Sequence, residues 1–295
     1  MTMLSSDKYT EKKLKKLEKT IEKIFKRTEK EVVQKALNYL AEFKKQDDEM
    51  LYKFQNKIIS AKQYYSWRQA KMTTGKQYNK LLQAIDKELI KASDTAYKYI
   101  NNDVPQIFAV NYNTIAEIIR TSDVSIGYSF NIVDKNVIAE MIERKELMLP
   151  PIKKTNVSKM QKWNGKKINA EILQGILQGE SIPKIAQRLQ NVCGSNRTVA
   201  IRNARTMITA SQNSGRIAGF RQAESDGVIM KKVWIATEDS RTRKSHLSIN
   251  NEMQDNDKPF SNGLMFPGDW RGRPEEVYNC RCTLGAEIIG FRRLR

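Results

Sequence analysis

The sequence predicts a mainly α N-terminal half of elongated helices, followed by an α+β C-terminal domain with a small β-sheet. Three observations predict this. Residues 6–65 hold no glycine or proline and repeat apolar residues every three or four positions. Residues 67–149 continue in the same manner with only Gly75, Pro105 and Gly127 as breakers. The two β-type runs, 229–237 and 277–284, both follow Leu149-Pro150-Pro151, where adjacent prolines end a helix and stiffen what comes next. The expected division is therefore 1–150, an elongated helical arm and bundle, and 151–295, the α+β domain.

Taken in order, Leu14, Leu17, Ile21, Ile24, Val32, Val33, Leu37, Leu40, Phe43, Leu51, Phe54 and Ile58 trace one stripe of an amphipathic helix broken once or twice. Thr28 and Glu31 interrupt its seam, so it fits docking on another protein or on later helices as well as a coiled coil. Tyr64, Tyr65 and Trp67 beside Arg68 are either core aromatics at a helix junction or a stacking surface for bases. Tyr78, Leu81, Leu82, Ile85 and Leu89 share a face of the next helix, and another helix is expected over 107–119 after Pro105.

Beyond Pro151, residues Ile168, Ile172, Leu173, Ile176 and Leu177 define a short helix stopped by Gly179. Ser181 caps a second helix with Pro183 in its first turn and Ile185, Ala186 and Leu189 inward. Cys193-Gly194-Ser195-Asn196 should break the chain before a basic helix over about 197–225 that carries Arg202, Arg205, Arg216 and Arg221. Residues 259–274 pack three prolines and three glycines and form a surface loop; Arg292, Arg293 and Arg295 make a basic end.

The formal charge is +19, from 52 Lys and Arg against 33 Asp and Glu. That surplus favours a polyanionic partner. It is spread along the chain, +6 in residues 1–66 and +6 in 195–295, but in different kinds: 15 lysines and one arginine in the first block, 13 arginines and four lysines in the last. Lysine suits a solvated helical face, whereas the planar fork of arginine suits directed contacts to phosphate. Candidate contacts to DNA are Lys12, Lys13, Lys15, Lys16, Arg202, Arg205, Arg216 and Arg221. The bland alternative is a solvated face with internal ion pairs. Three unevenly placed cysteines do not make a secreted disulfide framework, and no apolar run reaches the ~20 residues that cross a bilayer, so a soluble chain without a membrane segment is expected.

Residues 234–282 hold the single histidine, His246, and the pair Cys280 and Cys282. If 277–284 is a strand, both thiols face one side and Arg281 the other. A disulfide between them is disfavoured, because residues i and i+2 of a strand sit roughly 6.5 Å apart at Cα. A helix starting at Asp239 would carry Thr242, Arg243 and His246 on one face, yet seven residues of helix rise about 10.5 Å, too far for both ends to reach one ion. A metal site therefore joins His246, Cys280 and Cys282, with water or an acid such as Asp239, Asp255 or Asp257 in the fourth place, and zinc accepts that mixture. Buried free cysteines and a packed histidine would leave the same letters.

The order Trp234, Asp239, Arg241, Arg243, His246, then Phe266-Pro267, Pro274, Glu276, Asn279, Cys280, Arg281 and Cys282 resembles the signature of tailed-phage minor head proteins, the Mu F-type head morphogenesis family. Gly179-Glu180-Ser181, Ile185-Ala186 and Ala204-Arg205-Thr206 are similar to its helical lead-in, although Met207 stands where a glutamate commonly follows. The resemblance covers about 155–288 and marks 151–295 as a head-morphogenesis-like domain. It implies a structural, non-enzymatic protein of the virion head near the portal vertex, made in the host bacterial cytoplasm and acting in head assembly and genome packaging or delivery. Its partners would be the portal protein, other head proteins and double-stranded DNA without sequence specificity. The competing class is a metal-assisted nuclease using His246 and Asp239.

Overall fold

The computed structural model describes residues 4–71, 75–121, 132–144, 148–178 and 180–292. Gly127, Gly179, Arg293 and Arg295, along with the side chains of Ile176 and Leu177, lie outside the described residues. The order is α1 (Ser5–Gln55), α2 (Ala61–Gln69), α3 (Lys76–Tyr112), α4 (Thr114–Thr121), α5 (Lys135–Glu143), α6 (Val157–Leu177), α7 (Ile182–Ser225), β1 (Val228–Ile235), α8 (Lys244–Leu247), β2 (Met253–Gln254), α9 (Pro274–Val277) and β3 (Thr283–Phe291). Long helices and a small C-terminal sheet make up the fold class the sequence predicts. The chain forms two compact units, one from residues 1–19, 98–153 and 201–295 and the other from 20–97 and 154–200. The passage from 153 to 154 lies three residues past Pro150-Pro151, but 20–97 joins the later helices.

The second of these units is helical. Val32, Ala36 and Leu40 of α1, Ile85 and Leu89 of α3, Ile168 and Ile172 of α6, and Ile185 and Leu189 of α7 share one core, as their three- and four-residue spacing requires. A polar chain threads it: Asn196 donates to Asn164 at 3.1 Å and Asn164 to Asp86 at 2.7 Å. This chain explains why α7 does not break at 193–196. Cys193 is buried in the core and Asn196 also donates to the Val192 carbonyl, so tertiary partners outweigh the ~1 kcal/mol cost of Gly194 in a helix. Gly175 allows α6 to pass α7, since a Cβ there would stand 2.7 Å from Ile185 Cγ1. After α1 ends, Ser60 and Gln63 form a reciprocal capping box on α2. Tyr64 then stacks on Phe54 at 5.5 Å and Trp67 on Phe43 at 6.0 Å, so these rings spend their faces on α1; Tyr65 is exposed.

The other unit carries the sheet, antiparallel throughout in the order β2-β1-β3, with a bulge at Ile229/Met230. Its buried face packs Met230, Trp234, Leu284 and Ile288 against Phe220 of α7 and Phe260 and Phe266 of the following loops. The helix expected to start after Pro105 is instead a continuation: α3 runs through Pro105 to Tyr112, with Val104, Ile107 and Phe108 all buried around the missing N–H. Packing overrides the breaker there. Two glycines of α7 set its distance from α3, because a Cβ at Gly215 would lie 2.5 Å from the Phe108 carbonyl oxygen and one at Gly219 2.2 Å from that of Tyr112.

Candidate metal centre

The central motif is held by α7. One face of that helix presents Thr206, Thr209, Asn213 and Arg216, three or four residues apart. Thr206 Oγ1 accepts from the Asn279 amide at 3.1 Å, Thr209 Oγ1 donates to the Cys280 carbonyl at 2.8 Å, and Asn213 Nδ2 donates to the carbonyls of Cys282 at 3.2 Å and Pro267 at 2.9 Å. Asn213 Oδ1 accepts from the Leu284 amide at 2.8 Å, and Thr237 Oγ1 donates to the Arg281 carbonyl at 2.8 Å. The segment 279–282 thus has its backbone fixed by side chains. It is not the strand expected from 277: α9 ends at Val277, Asn279 takes the left-handed φ of 57°, and β3 starts at Thr283. Asparagine is one of the few side chains that adopt that conformation readily.

The two thiols nevertheless converge. His246 Nδ1 lies 3.6 Å from Cys280 Sγ and 3.5 Å from Cys282 Sγ, with all three residues buried. Their ligand atoms lie within 4.8 Å of one another, which makes them a possible metal site and the one such His/Cys/acid group among the described residues. On its other nitrogen, Nε2, the imidazole meets Glu276 Oε2 at 2.8 Å, and Ser245 Oγ donates to the same carboxylate at 2.9 Å. A carboxylate accepts, so the ring proton belongs on Nε2 and the Nδ1 lone pair faces the sulfurs. Carboxylate-histidine pairs orient metal-ligating imidazoles in this way. Trp234, fully buried, lies edge-on against the His246 ring at 5.0 Å.

The electrostatics suit a thiolate. Cys282 is pushed down, first by the hydrogen bond from the Cys280 thiol and then by the Thr237 amide, against the opposing effect of burial. Cys280 is pushed up, by keeping that shared proton and by burial. Two sulfurs and an imidazole nitrogen are zinc donors by type, and the fit leaves a fourth position to another donor.

The remaining motif residues shape this centre from outside. Asp239 does not begin a helix: it sits in a turn, α8 starts only at Lys244, and Asp239 Oδ1 accepts from the Arg241 amide at 3.0 Å. Both its oxygens are taken by Arg281 at 2.5 and 2.6 Å, so the structure joins Asp239 to Arg281 and not to the His-Cys-Cys group. Those hydrogen bonds hold its carboxyl well below the usual carboxylate range. Arg243 donates to the Tyr278 carbonyl, and Arg241 is exposed. Glu276 was legible as part of the motif but not as the partner of His246, since nothing in its spacing shows which helix turn it faces.

The other expected site residues are not gathered here. Arg216, a candidate for DNA, is 1% exposed: its five N–H donors go to Asn111, Thr283, the Leu284 carbonyl, Ser6 and Asp7, the last at 2.6 Å. Burial pushes its pKa down and Asp7 offsets part of that. The guanidinium is committed inside the protein and reaches no phosphate. Arg205 pairs with Glu18 at 2.5 Å, and Arg202 lies over the Tyr278 ring at 4.8 Å. Of the four candidate arginines on α7, Arg221 is the exposed one. On α1, Lys13 pairs with Asp103 and Lys15 with Glu11, while Lys12 and Lys16 are exposed.

Residues 166–285 match the family model described as Phage Mu protein F like protein. This segment is similar to that family. The resemblance read from the motif between Trp234 and Cys282 holds. The chain is also 28% identical over 229 residues to the minor head protein GP7 of Bacillus phage SPP1, covering 74% of this chain and 73% of that one. Both findings support a phage minor head protein. A second relative, the NAD(+)–arginine ADP-ribosyltransferase EFV of Enterococcus faecalis, is 30% identical over 126 residues, 42% of this chain. The match spans only 26% of that relative's length. No solved structure matches the chain. Among the described residues no helix is long and apolar enough to cross a membrane.

Proposed function

We propose that this protein is a structural component of a tailed-phage head, placed at or near the portal vertex, where it contacts the portal protein and other head proteins and meets packaged DNA without reading its sequence. It would be made in the host bacterial cytoplasm and enter the particle during head assembly. The observation that carries the reading is the convergence of the motif residues on one buried His-Cys-Cys group inside the family-matched segment. A +19 chain releases counterions on binding nucleic acid, which supports the DNA contact.

In the same proposal, zinc is held by His246 Nδ1, Cys280 and Cys282, and its role is to join the loops within 236–282 to one another, while Thr206, Thr209 and Asn213 attach them to α7. A bound zinc would supply cross-linking of these loops. The chain's residues prepare the site: Glu276 fixes the histidine tautomer, the Thr237 amide stabilises the Cys282 thiolate, and Trp234 backs the ring. We assign no turnover. A donor set of two thiols and an imidazole with no carboxylate suits zinc and not hydrated magnesium, which argues against the nuclease alternative.

The head assignment is tested by mass spectrometry of purified particles together with imaging of the vertex. The expected result is this polypeptide in a few copies beside the portal. Infectious particles formed without it would contradict the assignment.

A further inference from the structure

Helix α6 has two unlike faces. Asn164, Ile168 and Ile172 are buried in the helical core, whereas Lys159, Lys162, Lys166 and Lys167 are exposed. Lys159, Lys162, Trp163 and Lys166 follow at i, i+3, i+4 and i+7, so they form one stripe along the solvent side, about 10.5 Å long at 1.5 Å per residue. Trp163 is 37% exposed within it, and Lys167 Nζ lies 5.9 Å from the indole centroid.

What separates this stripe from an ordinary solvated face is the lack of counter-charge. Residues 147–170 contain six lysines and no acid. Some lysines elsewhere pair with acids, as in Lys15 with Glu11, Lys44 with Asp48 and Lys184 with Glu180. Among the described residues, none of the four α6 lysines forms an ion pair. Four unneutralised cations around an open indole are complementary to an anion with regularly spaced charge and planar groups. A membrane surface would need a broad apolar face to insert, and the apolar face of α6 is already buried in its unit.

We infer that the outer face of α6, through Lys159, Lys162, Lys166, Lys167 and Trp163, binds the phosphodiester backbone of nucleic acid. This rests on the DNA contact proposed above and gives it a surface other than the α1 lysines and α7 arginines. Lysines act as point charges on phosphate, so the contact carries no sequence preference.

The test measures binding of full-length protein to fluorescent random-sequence oligonucleotides, duplex and single-stranded, over a salt series. A variant with all four α6 lysines changed to glutamine is compared with a variant carrying Lys12→Gln, Lys13→Gln, Lys15→Gln and Lys16→Gln, which loses the same charge; circular dichroism verifies that both are folded. If all four lysines meet phosphates, the slope of log K against log salt should shrink by about 3 to 4 for the α6 variant on duplex, at about 0.9 per contact. The α1 variant should change much less. Unaltered affinity and slope in the α6 variant, with wild-type binding intact, would overturn this surface and leave DNA binding standing; equal losses in both variants would overturn it too. Wild-type protein that binds neither oligonucleotide overturns both, and preference for phosphatidylserine vesicles over DNA overturns the choice of partner. Trp163→Ala should weaken single-strand binding more than duplex binding if the indole stacks on an unpaired base, and equally if it lies on the sugar-phosphate edge. No effect on either overturns the indole's part.

Discussion

The helical unit of residues 20–97 and 154–200 and the loops between β1 and β3 keep their shapes by different means. The first buries evenly spaced aliphatic side chains, so many similar contacts share the stabilisation. In the second, the backbone of 279–282 is held by Thr206, Thr209, Asn213 and Thr237 around a single buried His-Cys-Cys group. Loss of one contact is diluted in the helices and concentrated in the loops. The difference teaches where a substitution should act locally and where it should act throughout.

The largest effect should follow from Cys280→Ser with Cys282→Ser. Structural zinc in small domains contributes on the order of 10 kcal/mol at neutral pH, so its loss should open the loops to proteolysis and amide exchange. The helical circular dichroism should remain close to that of the wild type. A uniform loss of helix would break the contrast between the two regions.

Arg216→Ala comes next. It strands Asp7 and several buried acceptors, and breaking a buried ion pair costs about 3 to 5 kcal/mol, to be read by denaturant unfolding. Asp7→Asn in the same background should recover part of that loss. Gly219→Ala should cost about 1 to 3 kcal/mol, because its Cβ would meet the Tyr112 carbonyl oxygen and α3 and α7 must separate. Gly165→Ala is the opposite case. On α6 nothing lies within 4 Å of the added Cβ, so helix propensity decides and stability should rise by about 1 kcal/mol.

A smaller, pH-dependent effect belongs to Asp239. Arg281 depresses its folded pKa, so the pair contributes stability that is fully present above the unfolded value of about 4 and is lost as pH falls through the lower folded value. Loop opening measured by exchange between pH 5 and pH 2 should therefore grow in the wild type. In Asp239→Asn that growth should be flatter.

Much of this fold was readable before the structure because periodicity reports burial directly. The stripe Leu17, Ile21, Val32 and Leu40 is buried as its spacing requires, and β1 lies where β-branched and aromatic residues cluster. What could not be read depends on partners distant in sequence. Pro105 and Gly194 look like breakers, yet both sit inside helices because neighbours in space fill their surroundings. Arg216 looks like a surface cation, and only the fold brings Ser6, Asp7 and Asn111 around it. Asp239 has the letter of a helix cap, but Arg281, 42 residues later, claims its carboxylate. At the site, chemistry was legible and geometry was not: histidine and paired thiols are donors in any context, whereas Glu276 behind His246 required the turn of α9 to be known. The α6 lysines belong to no motif; their signal in the sequence is the run 147–170, which holds six lysines and no acid.

The metal joins the loops between β1 and β3, and the decisive measurement is elemental analysis of full-length protein purified without chelator. The expected result is about one zinc per chain, lost together with loop protection in the Cys280→Ser, Cys282→Ser variant. Folded protein free of zinc, with loops 236–282 as protected as the helices, would contradict it.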